Sequence, residues 1–221
     1  MVKVIAIIKR TAGMSVEAFQ QHWRTRHADV VAELPGLRRY VQSHTLLAGY
    51  RKGEPAWDGI AELSFESTDA LRALRGTPAY AAVEEDETRF IDRSTMVTIV
   101  TDEHVIKDGA LPRDGVKNVE FVTHRADLAI DAFQRYWRET HGPIAARIPQ
   151  ILRYVQSHVR PSAYAGGRQP RDDGCAITWF EDTQTMRAAA AAPEYAATRA
   201  DEPNFLAPDP PFIITREHVI V

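Results

Sequence analysis

Cysteine is almost missing from this 221-residue sequence, which has only Cys175. An internal disulfide is therefore excluded, and a lone thiol in a stretch that reads as a strand points to packing in a reducing compartment. No run approaches the roughly 18 apolar residues that a membrane-spanning helix needs. Neither sign of charge dominates: 27 Lys and Arg stand against 30 Asp and Glu, with no basic block. The electrostatic case for nucleic acid or an anionic membrane is thereby removed. The sequence also lacks a Gly-rich phosphate loop, a nucleotide-binding fingerprint, paired cysteines and a His-Glu-x-x-His spacing. Nucleotide cofactors and a bound metal are accordingly not expected. These absences leave a cytoplasmic globular protein whose partners are a small molecule and a second copy of itself.

What the sequence does contain, it contains twice. AFQQHWRTRH at residues 18–27 returns as AFQRYWRETH at 132–141, and YVQSH at 40–44 is repeated unchanged at 154–158. Both pairs are displaced by the same 114 residues (18 to 132, 40 to 154). A shared displacement across separate motifs means a duplicated domain of about that length rather than a solenoid. A composition that is 44% hydrophobic suffices for two cores.

Each half carries the same succession of patterns. Residues 2–8 are short, apolar and β-branched and read as a strand. Ser15 offers an N-cap to an amphipathic helix that Pro35 and Gly36 end, with Val16, Phe19, Trp23 and Val30 as its apolar stripe. Residues 37–47 and 57–65 read as strands, a second helix is interrupted at Thr77 and Pro78, and residues 95–105 close the half as a fourth strand. In the second half Ala129 replaces the Ser cap, so Asp127 or Asp131 is expected to serve there. The order strand, helix, strand, strand, helix, strand is the ferredoxin-like split βαβ arrangement. The expected organisation is a first repeat over 1–106, a linker over 107–115 and a second repeat over 116–221.

The helix motif F-x-x-x-W-R-x-x-H, the following P-G-L-R-R-Y-V-Q-S-H, the strand W-D-G-I-A-E-L-S-F-E-S and the T-P-A-Y-A-A helix together resemble the EthD family of the dimeric α+β barrel superfamily. The resemblance covers nearly the whole chain, once per half. In the second half Gln150 and Ile151 approximately replace Pro35, Gly36 and Leu37, Ile177 replaces Glu62, and Trp179 replaces Ser64. The resemblance implies an α+β fold in which two ferredoxin-like repeats pack sheet to sheet, here as an intramolecular barrel. It also implies that Tyr80 and Tyr195 stand where some cyclases of the superfamily place a catalytic histidine.

Strand alternation ranks the candidate site residues. On the first strand of the second half Val119, Phe121 and Thr123 are expected under the helices. Asn118, Glu120, Val122 and His124 are then expected to face into the barrel, where three polar groups suggest a cavity. Tyr40, Gln42 and His44 share one strand face, as do Tyr154, Gln156 and His158, and their repetition favours the cavity side. Six of the eight histidines form repeat pairs, His27 with His141, His44 with His158 and His104 with His218. His27 and His141 follow Trp23 and Trp137 by four residues, which puts imidazole and indole on one helix face. His22 and His27, five apart, share no α-helical face well. Asp58 and Asp173, just before a glycine, could orient a histidine; turn formation is the simpler account of them.

Imidazole beside apolar surface is poised for proton transfer near neutral pH. The expectation is cofactor-free acid–base chemistry of the lyase, decarboxylase, cyclase or isomerase type on a hydrophobic, oxygenated, aromatic or polyketide-like molecule. His141 or His158 would act as base, with His27 and His44 as their counterparts, and Glu120 with His124 would form a polar pair. Tyr154 and Gln156 would donate hydrogen bonds, while Tyr40, Gln42, Asn118, Trp23, Trp137, Tyr80 and Tyr195 would contact substrate. Two alternatives stand beside it. One is a monooxygenase, cofactor-free or with heme held by His124, His27 or His141; the other is a non-catalytic binding protein of a degradation pathway.

Overall fold

A computed structural model describes all 221 residues. They divide into two compact units, the first comprising residues 1–101 and 217–221 and the second residues 102–216. The final strand thus begins in the second unit while the last five residues belong to the first.

In the first unit the sheet is formed by β1 (Val2–Ile8), β2 (Leu37–Thr45), β3 (Gly59–Phe65) and the start of β4 (Val97–Lys107). β1 lies between β3 and β4, β3 lies between β1 and β2, and every pairing is antiparallel. The second unit repeats the plan with β5 (Val116–Val122), β6 (Arg153–Val159), β7 (Gly174–Phe180) and β8 (Phe212–Val219), again wholly antiparallel. With helices between the first and second and between the third and fourth strands, each unit is an α+β ferredoxin-like repeat. No helix is long and apolar enough to cross a membrane.

The helices start where local chemistry allows. Ser15 Oγ accepts from Ala18 N at 3.1 Å to cap α1 (Val16–His22), and Thr77 caps α4 (Pro78–Glu87), with Pro78 at its first position. Neither aspartate expected to cap α5 (Ile130–Tyr136) does so: Ala129 sits at the cap without a side-chain bond, and Asp127 is taken by Arg125. Both first helices then depart from α geometry. Residues Trp23–His27 and Trp137–His141 form one π turn each before helix resumes as α2 (Ala28–Ala32) and α6 (Gly142–Ala145). The remaining pairs are α3 (Thr68–Ala73) with α4, and α7 (Thr183–Ala189) with α8 (Pro193–Asp201).

The helices cover the face opposite to the one expected. In the first unit Phe19, Trp23, Leu74, Val83 and Phe90 pack against Val4, Ile8, Tyr40 and Ala61. The matching positions of the second unit are therefore Asn118, Glu120 and Val122. Val119 and Phe121 lie on the other face, buried all the same. Residues 2–8 are apolar at nearly every position, so alternation could not choose a face there. In the second repeat the polar residues misled because polarity was equated with distance from the helices.

A tight backbone contact fixes the helix against each sheet. A Cβ built on Gly174 would lie 2.3 Å from Ser157 O and 3.0 Å from Trp137 Cζ3, and Gly59 stands in the same relation to Ser43 O and Trp23. The indole rests directly on the strand backbone, where only glycine leaves room. Gly174→Ala should accordingly lower stability by about 3 kcal/mol, the upper end of overpacking costs. Urea unfolding of the variant checks this; an unchanged midpoint would show that the contact is slack.

Candidate functional site

The π turn decides which side chains meet. Its wider turn aligns residues five apart, where an α-helix would splay them. His22 Nε2 and His27 Nδ1 both reach Asp86 Oδ2, each at 3.0 Å, which corrects the expectation that these histidines share no face. In the second unit Tyr136 Oη donates to Asp201 Oδ1 at 2.7 Å and His141 Nδ1 bonds Asp201 Oδ2 at 2.9 Å. Burial lowers the pKa of both His27 and His141, and the adjacent carboxylates offset only part of that effect. Burial works against the Asp86 and Asp201 carboxylates too. Hydrogen bonds outweigh it and hold both below the usual range, from His22 and His27 to Asp86, and from Tyr136, Asn204 and His141 to Asp201.

Asp58 and Asp173 therefore do not orient these histidines. Asp58 accepts from the Arg10 backbone N at 2.7 Å, from its guanidinium, and from Tyr50 Oη at 2.5 Å. Asp173 accepts from His124 N at 2.7 Å, meets His124 Nδ1 at 2.6 Å and takes the Tyr164 hydroxyl at 2.5 Å. Both carboxylates anchor the segment leaving the first strand of their unit.

The repeated Tyr-Val-Gln-Ser-His strand makes a closed network behind the tryptophan. Tyr154 Oη accepts from Trp137 Nε1 at 3.2 Å and from Gln156 Nε2 at 2.9 Å, while Gln156 Nε2 also donates to Trp137 O at 2.8 Å. With its amide hydrogens committed, Gln156 offers only Oε1, 3.0 Å from His158 Nε2, which makes that nitrogen the donor. The His158 ring lies flat on Trp137 at 4.3 Å and meets His104 edge-on at 4.6 Å. Burial first, then the neighbouring His104, pushes His158 down to about 3, so it is neutral. Tyr40, Gln42, His44 and Trp23 repeat every contact, with His218 in the place of His104. Gln156 and His158 stand behind this network and do not line the cavity described next.

Between the sheet and the helices of the second unit lies a cavity of about 320 Å³, room for roughly ten waters at about 30 Å³ each. Asn118, Glu120, Thr178 and Tyr154 form its floor, and Trp137 and His141 come from the π turn. Tyr195 and Thr198 of α8 and Ala189 of α7 close another side. The counterparts Val4, Leu74 and Val83 are packed core in the first unit. Replacement of Leu74 by Ala189 opens space, and polar residues line it where Val4, Ala6, Leu63 and Val83 stood. Tyr80, by contrast, is exposed.

Glu120 does not pair with His124, which is held by Asp173. Its neighbour is Arg199, with Nη1 3.8 Å from Glu120 Oε1 and 2.7 Å from Glu202 Oε2. Burial, reinforced by the charge of Glu202 and only partly offset by Arg199, pushes Glu120 up to about 7. Burial raises Glu202 as well. His141 is the one imidazole at the cavity, and Asp201 occupies its Nδ1, so Nε2 is the nitrogen a bound molecule can reach. Asp201, Arg199, Glu202 and Thr178 escaped the sequence reading. A signal for Asp201 and Glu202 was present: Asp-Glu-x-x-Phe occurs at residues 86–90 and again at 201–205.

Heme does not suit these side chains. The cavity is at the small end of ligand pockets, too tight for the macrocycle. Of the three imidazoles considered for heme, His27 and His124 do not line the cavity.

The raised pKa of Glu120 has a sign that can be measured. A carboxyl raised in the fold contributes stability that is full below its unfolded value of about 4.5 and is lost as pH rises through about 7. Glu120→Gln should match the wild type near pH 4 and exceed it by about 3 kcal/mol near pH 9. Urea titrations at the two pH values test this; a constant difference would refute the protonated, buried carboxyl.

Among curated proteins no sequence matches. A solved structure described as an anthrone oxidase-like protein aligns over 99% of this chain and 93% of its own, with a TM-score of 0.68 and 10% identity. A mutant chlorite dismutase from Candidatus Nitrospira defluvii aligns over 99% and 92%, with a TM-score of 0.54 and 10% identity. At such identities the likeness is one of fold. An ethyl tert-butyl ether D (EthD) family protein from Bacillus halodurans C-125 is 25% identical over 47% of this chain and 99% of its own, with a TM-score of 0.39. The EthD domain family itself matches residues 11–94 and, a second time, residues 125–209. Matched twice over most of its length, the chain belongs to the EthD family and carries two EthD domains in tandem.

Proposed function

We propose that the cavity of the second repeat performs acid–base chemistry on a hydrophobic, oxygenated small molecule by removing a proton beside a carbonyl group. The observation that carries this reading is that a carboxylate-backed imidazole, His141, and a carboxyl poised near neutrality, Glu120, line one cavity with largely apolar walls. His141 Nε2 takes the proton from carbon, leaving an enolate. Asp201, held in turn by Tyr136, stabilises the imidazolium that forms. Glu120 in its protonated form returns a proton to the enolate, and His141 passes its own to solvent or to Glu120 to complete the cycle. Decarboxylation, cyclisation and isomerisation share this enolate step. Direct reaction of the same carbanion with oxygen would make the protein a monooxygenase, and oxygen uptake distinguishes that outcome.

The first repeat keeps the dyad in His27 and Asp86 but has Ala6 where Glu120 stands, with core side chains around it. Deuterium exchange into the central methylene of benzoylacetone, an aryl 1,3-diketone, should be accelerated by the wild type. The acceleration should fall by at least about a hundredfold in His141→Ala and persist in His27→Ala, whose thermal midpoint should drop. The rate should decline above about pH 7, where Glu120 loses its proton. Equal loss in both histidine variants would refute the division between repeats, and wild-type exchange no faster than buffer would refute proton abstraction from this class of carbon acid.

A further inference from the structure

The cavity floor contains a row of polar side chains, two of which the first repeat replaces with aliphatic ones. Thr178 of β7 stands opposite Asn118 of β5 on one side and Tyr154 of β6 on the other. Neighbouring strands are about 4.8 Å apart and these three residues share a face, so the row crosses the floor of the cavity. The corresponding row in the first repeat is Val4, Leu63 and Tyr40. The fold is thus compatible with aliphatic residues at two of the three positions.

Each member of the row has hydrogen-bonding capacity left over. The Tyr154 oxygen accepts from both Trp137 and Gln156, so its own proton has no acceptor within the protein. Thr178 makes no side-chain hydrogen bond, although its residue is only 9% exposed. Asn118 Oδ1 is buried without a partner, which leaves the amide nitrogen as the end open to the cavity. Unpaired polar groups in such a place cost stability and return none. Groups facing the cavity are repaid only when something there binds them.

Resting on the acid–base reading of this cavity, we propose that Asn118, Thr178 and Tyr154 form a donor row that recognises a substrate with two acceptor oxygens along one edge, a 1,3-dicarbonyl compound or its enol. The row offers donors to both oxygens, and charge that develops on them when the intervening carbon loses a proton falls on donors already in place. Gln156 and His158 are positioning residues here. His158 fixes the amide of Gln156, and the amide fixes Tyr154 as a donor toward the cavity.

Calorimetric titration with benzoylacetone and with butyrophenone, which lacks the second oxygen, tests the assignment. The wild type should bind benzoylacetone at least about tenfold more tightly, the worth of roughly one good hydrogen bond. Asn118→Val with Thr178→Leu, the residues of the first repeat, should abolish that preference while the thermal midpoint stays level or rises. Tyr154→Phe, a second and smaller change, should reduce the preference on its own. A wild type that binds both ketones equally, or a double variant that retains the preference, overturns the donor row and leaves the acid–base reading standing. Binding of neither ketone by the wild type sinks both.

Discussion

In each repeat one carboxylate, Asp86 or Asp201, holds two side chains that lie five residues apart on another helix. That grip requires a π turn, since α geometry would point the second side chain away. Everything around the site follows from it. The turn starts at the tryptophan whose indole lies against a strand glycine, and it ends at the histidine. Both ends are thereby fixed, one by the sheet and the other by α4 or the end of α8. Loss of the carboxylate would release the imidazole and remove the reason for the turn.

The two repeats use this frame differently. Tryptophan, tyrosine, glutamine and histidine keep their partners at closely matching distances in both, so the frame is a structural unit in its own right. Filling separates the repeats. The first closes its space with Val4, Leu74 and Val83; the second leaves it open and lines it with Asn118, Ala189 and Thr198. A duplicated domain allows that division, because one copy can retain a well-packed core while the other tolerates buried polar groups at some expense of stability.

Much of the fold was legible because it was written twice. Motif spacing established the duplication, and the succession of apolar runs with Ser15 and Pro78 placed strands and helices in the right order. Two features were not legible for definite reasons. A periodicity argument assumes 3.6 residues per turn, so it separates His22 from His27 and gives no sign that both meet at Asp86. Strand alternation cannot choose a face where residues 2–8 are apolar at every position but Lys3, and Asn118 and Glu120 were accordingly assigned to the wrong one. The partners of Glu120 were hidden for another reason. Arg199 and Glu202 lie some eighty residues further along, and nothing local to β5 announces them.

The first unit ends with residues that the second precedes. Its members include Glu217–Val221, and the backbone of Tyr40 bonds both Val221 O, at 3.0 Å, and Ile220 N, at 2.8 Å. During synthesis residues 1–101 leave the ribosome long before these partners exist. Domains generally fold in the order in which they are made. Here the first repeat to be synthesised is the last to be completed, and until then β2 waits with part of its edge open.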